Sequence, residues 1–244
     1  MVYLAQSVHQ QFAGLVLGFI GWIMMASISG VNDWRIWTVD NQTVITGGLA
    51  WVGVWRACFN SHILDSAEIC KSIGLTDSFT PPEIAAAQVL CMTAIGVGVV
   101  ANLLAGYAVR NALFGVDGGH VRLAFVIAGS LYWLTAACSL VPVIWNMSSV
   151  LANRTIEFPP DFYLPSAPVK QDVGPGIGFG ISSACLLIVS GLLLMCYRHP
   201  ETKMPESGET GHFDKNLRDE GFLGVINESM DEGMINPAFD MENL

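Results

Sequence analysis

The chain has 244 residues, 52% of them hydrophobic and 13% charged, with a formal net charge of −10. An average soluble domain carries roughly 25% charged residues. That shortfall argues against a water-soluble globule and for a chain that lives in a membrane.

Four stretches contain no Asp, Glu, Lys or Arg: 1–32, 84–109, 123–153 and 173–197. Each exceeds the ~20 residues an α-helix needs to cross the hydrocarbon core, whereas a soluble fold would have to bury four all-apolar helices in one small domain. No Lys or Arg precedes the first run and no clear small-x-small cleavage site follows it, so it is read as a span and not as a signal peptide. The predicted plan is a tetraspan domain over 1–197, with spans at about 12–31, 84–109, 123–146 and 173–197 and outer loops at about 32–83 and 147–172, followed by a tail over 198–244. Within the first span Gly14, Gly18 and Gly21 suit close helix packing.

The first outer loop reads as sheet. "WRIWTV" and "TVITGGLAWVGVW" are rich in Trp, Val, Ile and Thr, with Asp40-Asn41 and Gly47-Gly48 as turn signals. Cys58 and Cys70 are the two cysteines in a polar loop; Cys91, Cys138, Cys185 and Cys196 lie in or at the end of spans. Two thiols in one such loop predict a disulfide tying adjacent strands, and therefore an oxidising, extracellular side for this loop. The sequons at Asn41 and Asn153, one in each outer loop, agree with that side. His62 falls between the two cysteines and is read as an exposed loop histidine.

Arg110 and Arg122 bracket the short inner loop, yet Arg35, Arg56, Lys71, Arg154 and Lys170 occupy the opposite loops, so charge alone leaves the orientation open. The fourth span opens on Gly174-Pro175-Gly176-Ile177-Gly178-Phe179-Gly180. No Gly-Lys-Ser/Thr follows, so this run is read as helix packing and not as a phosphate loop. No charged residue lies within a span, which argues against a pump or transporter. The five histidines show no ligand spacing and no nucleophile–base arrangement is visible, so the chain is not read as an enzyme. The tail sets four basic residues against eleven acidic ones, net −7, and is predicted to be disordered and cytoplasmic. Its terminus, with Glu242 two before a final Leu244, fits a peptide that adds a strand to a PDZ domain. Asn236-Pro237-Ala238-Phe239 is a weaker adaptor motif.

Trp34, then Gly53-Val54-Trp55-Arg56-Ala57-Cys58, then Cys70 resemble the claudin signature, which calcium-channel gamma subunits and peripheral myelin relatives share. More specific likeness comes from "QFAGLVLGFIGWI", "DWRIWTVDNQTVIT", "CSLVPVIW" and Asp161-Phe162-Tyr163-Leu164-Pro165, followed by Lys170 to Gly174. The resemblance covers about residues 10–197. It departs at Gln88, where the family has an arginine, at the inner loop, which lacks the usual cysteine, and at the terminus, which is not Tyr-Val. These departures mark a divergent member.

The resemblance implies an α+β membrane protein: a four-transmembrane left-handed helix bundle carrying a small extracellular antiparallel β-sheet. Trp34, Gly53, Trp55, Cys58 and Cys70 would fix that sheet on the membrane surface. It implies a protein of the plasma membrane at cell–cell tight junctions, with both termini cytoplasmic. There it would polymerise into strands, with itself and other claudins in cis and trans, and control paracellular permeability. Phe162, Tyr163 and Pro165 are its contact candidates and Cys196 its palmitoylation candidate. Partners are other claudins, membrane lipid and a PDZ scaffold; neither a cofactor nor a nucleic-acid partner is implied. The alternative is an auxiliary subunit of an ion channel or receptor, like the gamma-subunit relatives.

Overall fold

A computed structural model of the chain describes residues 2–40, 44–61, 68–115 and 119–197, with side chains from His9 onward. Four helices dominate it: α1 (Val2–Gly30), α2 (Pro82–Leu113), α3 (Gly119–Leu151) and α4 (Pro175–Met195). All four are long and apolar enough to cross a membrane, α1 over His9–Gly30.

Burial along each helix advances in alternating steps of three and four residues. In α1 the buried seam is Gln11, Gly14, Gly18, Gly21, Met25 and Ile28; in α4 it is Ile177, Gly180, Ala184, Leu187, Gly191 and Leu194. The seams of α2 and α3 keep the same rhythm. An average step of 3.5 is slightly less than one helical turn, so the seam stays inward only if the helices wind round each other left-handedly. Each helix packs against its sequence neighbours, and α4 closes the ring on α1.

Small residues let these backbones approach, and two tryptophans exploit the gaps in the same way. Trp22 of α1 lies where a Cβ on Gly98 of α2 would stand, and its indole Nε1 donates to the Ile95 carbonyl at 3.1 Å. Trp133 of α3 lies over Gly191 of α4, and its Nε1 donates to the Ile188 carbonyl at 3.1 Å. In both, the accepting carbonyl sits three residues before the glycine.

At one end of the bundle a sheet is built from β1 (Arg35–Thr38), β2 (Ile45–Val52), β3 (Arg56–Ser61), β4 (Glu68–Ser72) and β5 (Lys170–Val173). The order is β4-β3-β2-β1-β5, with every pair antiparallel. Trp37, Ala50, Val52 and Phe59 point from one face into a core completed by Ile84 of α2 and by Ile156, Phe158, Phe162 and Leu164 from the second loop.

Among the departures from the predicted boundaries, three shape the sheet end. Gly47 and Gly48 do not end a strand; both have positive φ, 72° and 63°, and form a bulge inside β2 between Ile45 and Ala50. The fourth helix begins at Pro175 and not at Val173, because Lys170–Val173 is spoken for as an edge strand on β1. The third helix runs to Leu151 instead of ending near 146. At 33 residues it is roughly 50 Å long, well beyond a ~30 Å hydrocarbon core, so its outer turns stand beside the sheet. It stops at Asn153, whose left-handed φ of 52° lets the Arg154 N–H reach the Ser149 carbonyl at 3.0 Å. The tail over 198–244 lies outside the described residues.

Candidate functional site

The sheet end of the bundle is where the sequence concentrates its unusual residues. Period-two alternation in β1 turns Arg35 inward with Trp37, and the guanidinium, 1% exposed, enters the seam between α2 and α3. Its Nη2 donates to Glu83 Oε1 at 3.1 Å and to Asn146 Oδ1 at 2.8 Å. Ser149 Oγ donates to the same Glu83 oxygen at 2.6 Å, and Asn146 Nδ2 donates to the Glu83 and Pro142 carbonyls. One strand, the first turn of α2 and the last turns of α3 are thus fastened by a buried ion pair with its hydrogen bonds. Burial pulls the Arg35 pKa below its ordinary value, and the hydrogen bond and charge of Glu83 push it back up.

A turn below, Gln88 Nε2 donates to the Val54 carbonyl at 2.9 Å and to the Ile73 carbonyl at 2.8 Å. The side chain that departs from the family pattern therefore ties α2 to the turn before β3 and to the residue just after β4. Trp34 is buried and its Nε1 donates to the Ile28 carbonyl at 3.0 Å, closing the link from α1 to the sheet. Gly53 is required sterically: a Cβ there would stand 2.7 Å from the Asn32 Cα and 2.8 Å from the Val31 carbonyl oxygen. Trp55 is half-buried and packs on the cluster of Trp34, Val54, Met25 and Ile28.

Cys58 and Cys70 form a disulfide between directly opposed residues of β3 and β4, twelve apart in sequence. Glu68 lies close enough to both sulfurs to suggest a metal group, but the sulfurs are bonded to each other and have no thiolate to offer.

The second loop is held by aromatic stacking. Phe158 packs edge-on against Trp37 at 5.4 Å and stacks on Phe162 at 5.1 Å, and Phe79 closes the group at 5.2 Å from Phe162. Phe162, named with Tyr163 and Pro165 as a contact candidate, is 5% exposed and supports the loop from beneath. Tyr163, between buried Phe162 and Leu164, is 55% exposed with φ of 57°; Pro165 is half-buried. A left-handed tyrosine flanked by two anchors is aromatic surface presented by design of the backbone. Asn153, Arg154 and Thr155 are all exposed, as is Cys196 just past α4. Asn41, His62, Glu242 and Leu244 lie outside the described residues.

Sequence reasoning missed Arg35, Glu83, Asn146, Ser149 and Phe158. A signal was present: in Trp34-Arg35-Ile36-Trp37 the arginine shares a strand face with Trp37, which predicts an inward charge needing a partner. No one-dimensional cue identifies Glu83 and Asn146 as that partner, since both sit at ends of apolar runs where a polar residue is unremarkable.

The sequence pattern of the PMP-22/EMP/MP20/Claudin tight junction family matches residues 19–196. Claudin-3 of Canis lupus familiaris is 28% identical over 210 residues, covering 81% of this chain and 86% of the relative. Claudin-4 of Homo sapiens is 25% identical, covering 83% and 93%. Claudin-2 of Mus musculus is 24% identical, covering 85% and 84%.

Proposed function

Because the chain belongs to the PMP-22/EMP/MP20/claudin tight-junction family, we propose that this multi-pass membrane protein polymerises into tight-junction strands and controls paracellular permeability through its two outer loops. The observation that carries this reading is the single sheet into which both loops are woven, stapled by Cys58–Cys70 and presenting Tyr163. A disulfide on the sheet supports an extracellular placement of that end, and the exposed sequon at Asn153, on the same end, agrees with it. Both termini are then cytoplasmic.

Copies of this chain and other claudins meet side by side in one membrane and across the gap between cells, with Tyr163 and Pro165 at the intercellular contact. Asn153 and Asn41 are sites for glycans, Cys196 for a palmitoyl chain at the inner face, and Glu242 with Leu244 for a PDZ scaffold. The deciding experiment is expression in cells without junctions. Enrichment at borders between two expressing cells, and not at borders with non-expressing neighbours, is the expected result. Uniform surface staining would transfer the lead to the auxiliary-subunit function.

A further inference from the structure

The opposite end of the bundle carries a second set of residues that the sheet does not explain. Every described carboxylate belongs to the sheet end: Asp33, Asp40, Glu68, Asp77, Glu83, Glu157, Asp161 and Asp172. At the α2–α3 hairpin the described charged residues are Arg110 and Arg122, both exposed. Neither has an ion-pair partner among the described residues, where the two ion pairs are Arg35–Glu83 and Lys170–Asp172; Asp117 lies outside them. Their sequence neighbours Val109 and Val121 are buried in the same core cluster, which turns both arginines off the seam on adjacent, antiparallel helices.

Their depth can be counted. Gln88 donates to backbone carbonyls immediately beside the strands, so the hydrocarbon begins near the exposed Val89, and about 20 residues of α-helix cross it. That places the far boundary at Arg110. Counting back from the exposed Trp145 on α3 places the same boundary one turn from Arg122. Beyond them the loop presents Leu113, 61% exposed, and Phe114, 76% exposed, with the Arg110 guanidinium 5.9 Å from the Phe114 ring centroid.

We propose that Arg110 and Arg122 bind the headgroup of an anionic phospholipid in the leaflet at the hairpin end, with Phe114 inserted beside it. Guanidinium pairs match phosphate oxygens in two-point contacts, and the exposed apolar residues next to them favour a lipid over a soluble phosphate. On the functional reading above this is the cytoplasmic leaflet, which is the anionic one; only the choice of leaflet rests on that reading.

The test is titration of the purified full chain in detergent with short-chain phosphatidylserine or phosphatidylcholine, read by native mass spectrometry. Two arginines at the surface should give phosphatidylserine a preference of about 30-fold, falling to about 5-fold in Arg110→Gln and to near unity in Arg110→Gln/Arg122→Gln. Arg56→Gln, an exposed arginine at the sheet end, should keep the full preference. Equal binding of the two lipids by wild type, an undiminished preference in the double variant at unchanged melting temperature, or displacement by inorganic phosphate at the lipid's concentration would each overturn the assignment. An epitope after Leu244, stained before and after permeabilisation, tests the orientation separately.

Discussion

Removing the carboxylate of Glu83 should be among the most damaging single changes in this protein. The Arg35 side chain is 1% exposed and that of Glu83 4%, so neither charge can turn to water when its partner is lost. Breaking such a pair costs about 3–5 kcal/mol, chiefly because the survivor is left buried and uncompensated. A folded unit of this size loses about 2–4 °C of melting temperature per kcal/mol, so Glu83→Ala should melt roughly 6–20 °C lower. Replacing both partners with apolar groups of similar shape removes the stranded charge, and Arg35→Met/Glu83→Leu should recover much of the loss. It should not recover all of it, because the Asn146 Oδ1 and the Ser149 hydroxyl then lose their side-chain partners, at about 1–3 kcal/mol for each buried group left unpaired. The assay is thermal unfolding of detergent-purified protein followed by tryptophan fluorescence. A Glu83→Ala shift within 2 °C of wild type, or a double variant no more stable than either single one, would refute the account of a buried pair.

Cys58→Ser/Cys70→Ser should lower stability by about 3 kcal/mol on the chain-entropy account of a ring this short, read as a lower melting temperature that reductant reproduces in wild type. Phe162→Ala and Tyr163→Ala should separate support from display. The first should lose about 3–5 kcal/mol of stability; the second should leave the melting temperature within a degree while reducing enrichment at borders between expressing cells. Gly98→Ala should overpack Trp22 at about 1–3 kcal/mol, and an added Trp22→Phe should relieve part of it; equal melting temperatures for wild type and Gly98→Ala would contradict the close packing.

The helical half of the fold was legible because its signal is compositional: charge-free runs longer than a bilayer is thick need no partner to be recognised. The strands of the first loop were legible from Trp, Val, Ile and Thr between turn residues, and the cysteine pair from its polar setting. What stayed hidden depends on contacts distant in sequence. Lys170 to Val173 carry no hydrophobic alternation that announces a strand; they become β5 because β1 offers them an edge. Phe162 and Tyr163 are adjacent aromatics that no local rule distinguishes, and a three-residue turn over Pro160–Phe162 decides which one faces the core. Asn146 lies within a predicted span as an ordinary polar residue, and only the arrival of Arg35 makes it part of a lock.

The pairing of β1 with β5 also fixes an order of construction. A ribosome delivers β1 to β4 before the second helix exists, so most of the sheet and its disulfide can form while half the chain is still unmade. The free edge of β1 then waits for Lys170, through the synthesis of two helices and the second loop. Any chain interrupted in that interval exposes β1 as its edge in place of the short, charged β5, and an edge without such protection is the kind of surface that recruits other strands. Completion of the sheet therefore reports that the chain has been made and threaded as far as β5, and a truncation anywhere before β5 should be held back and degraded even though its first loop is already oxidised.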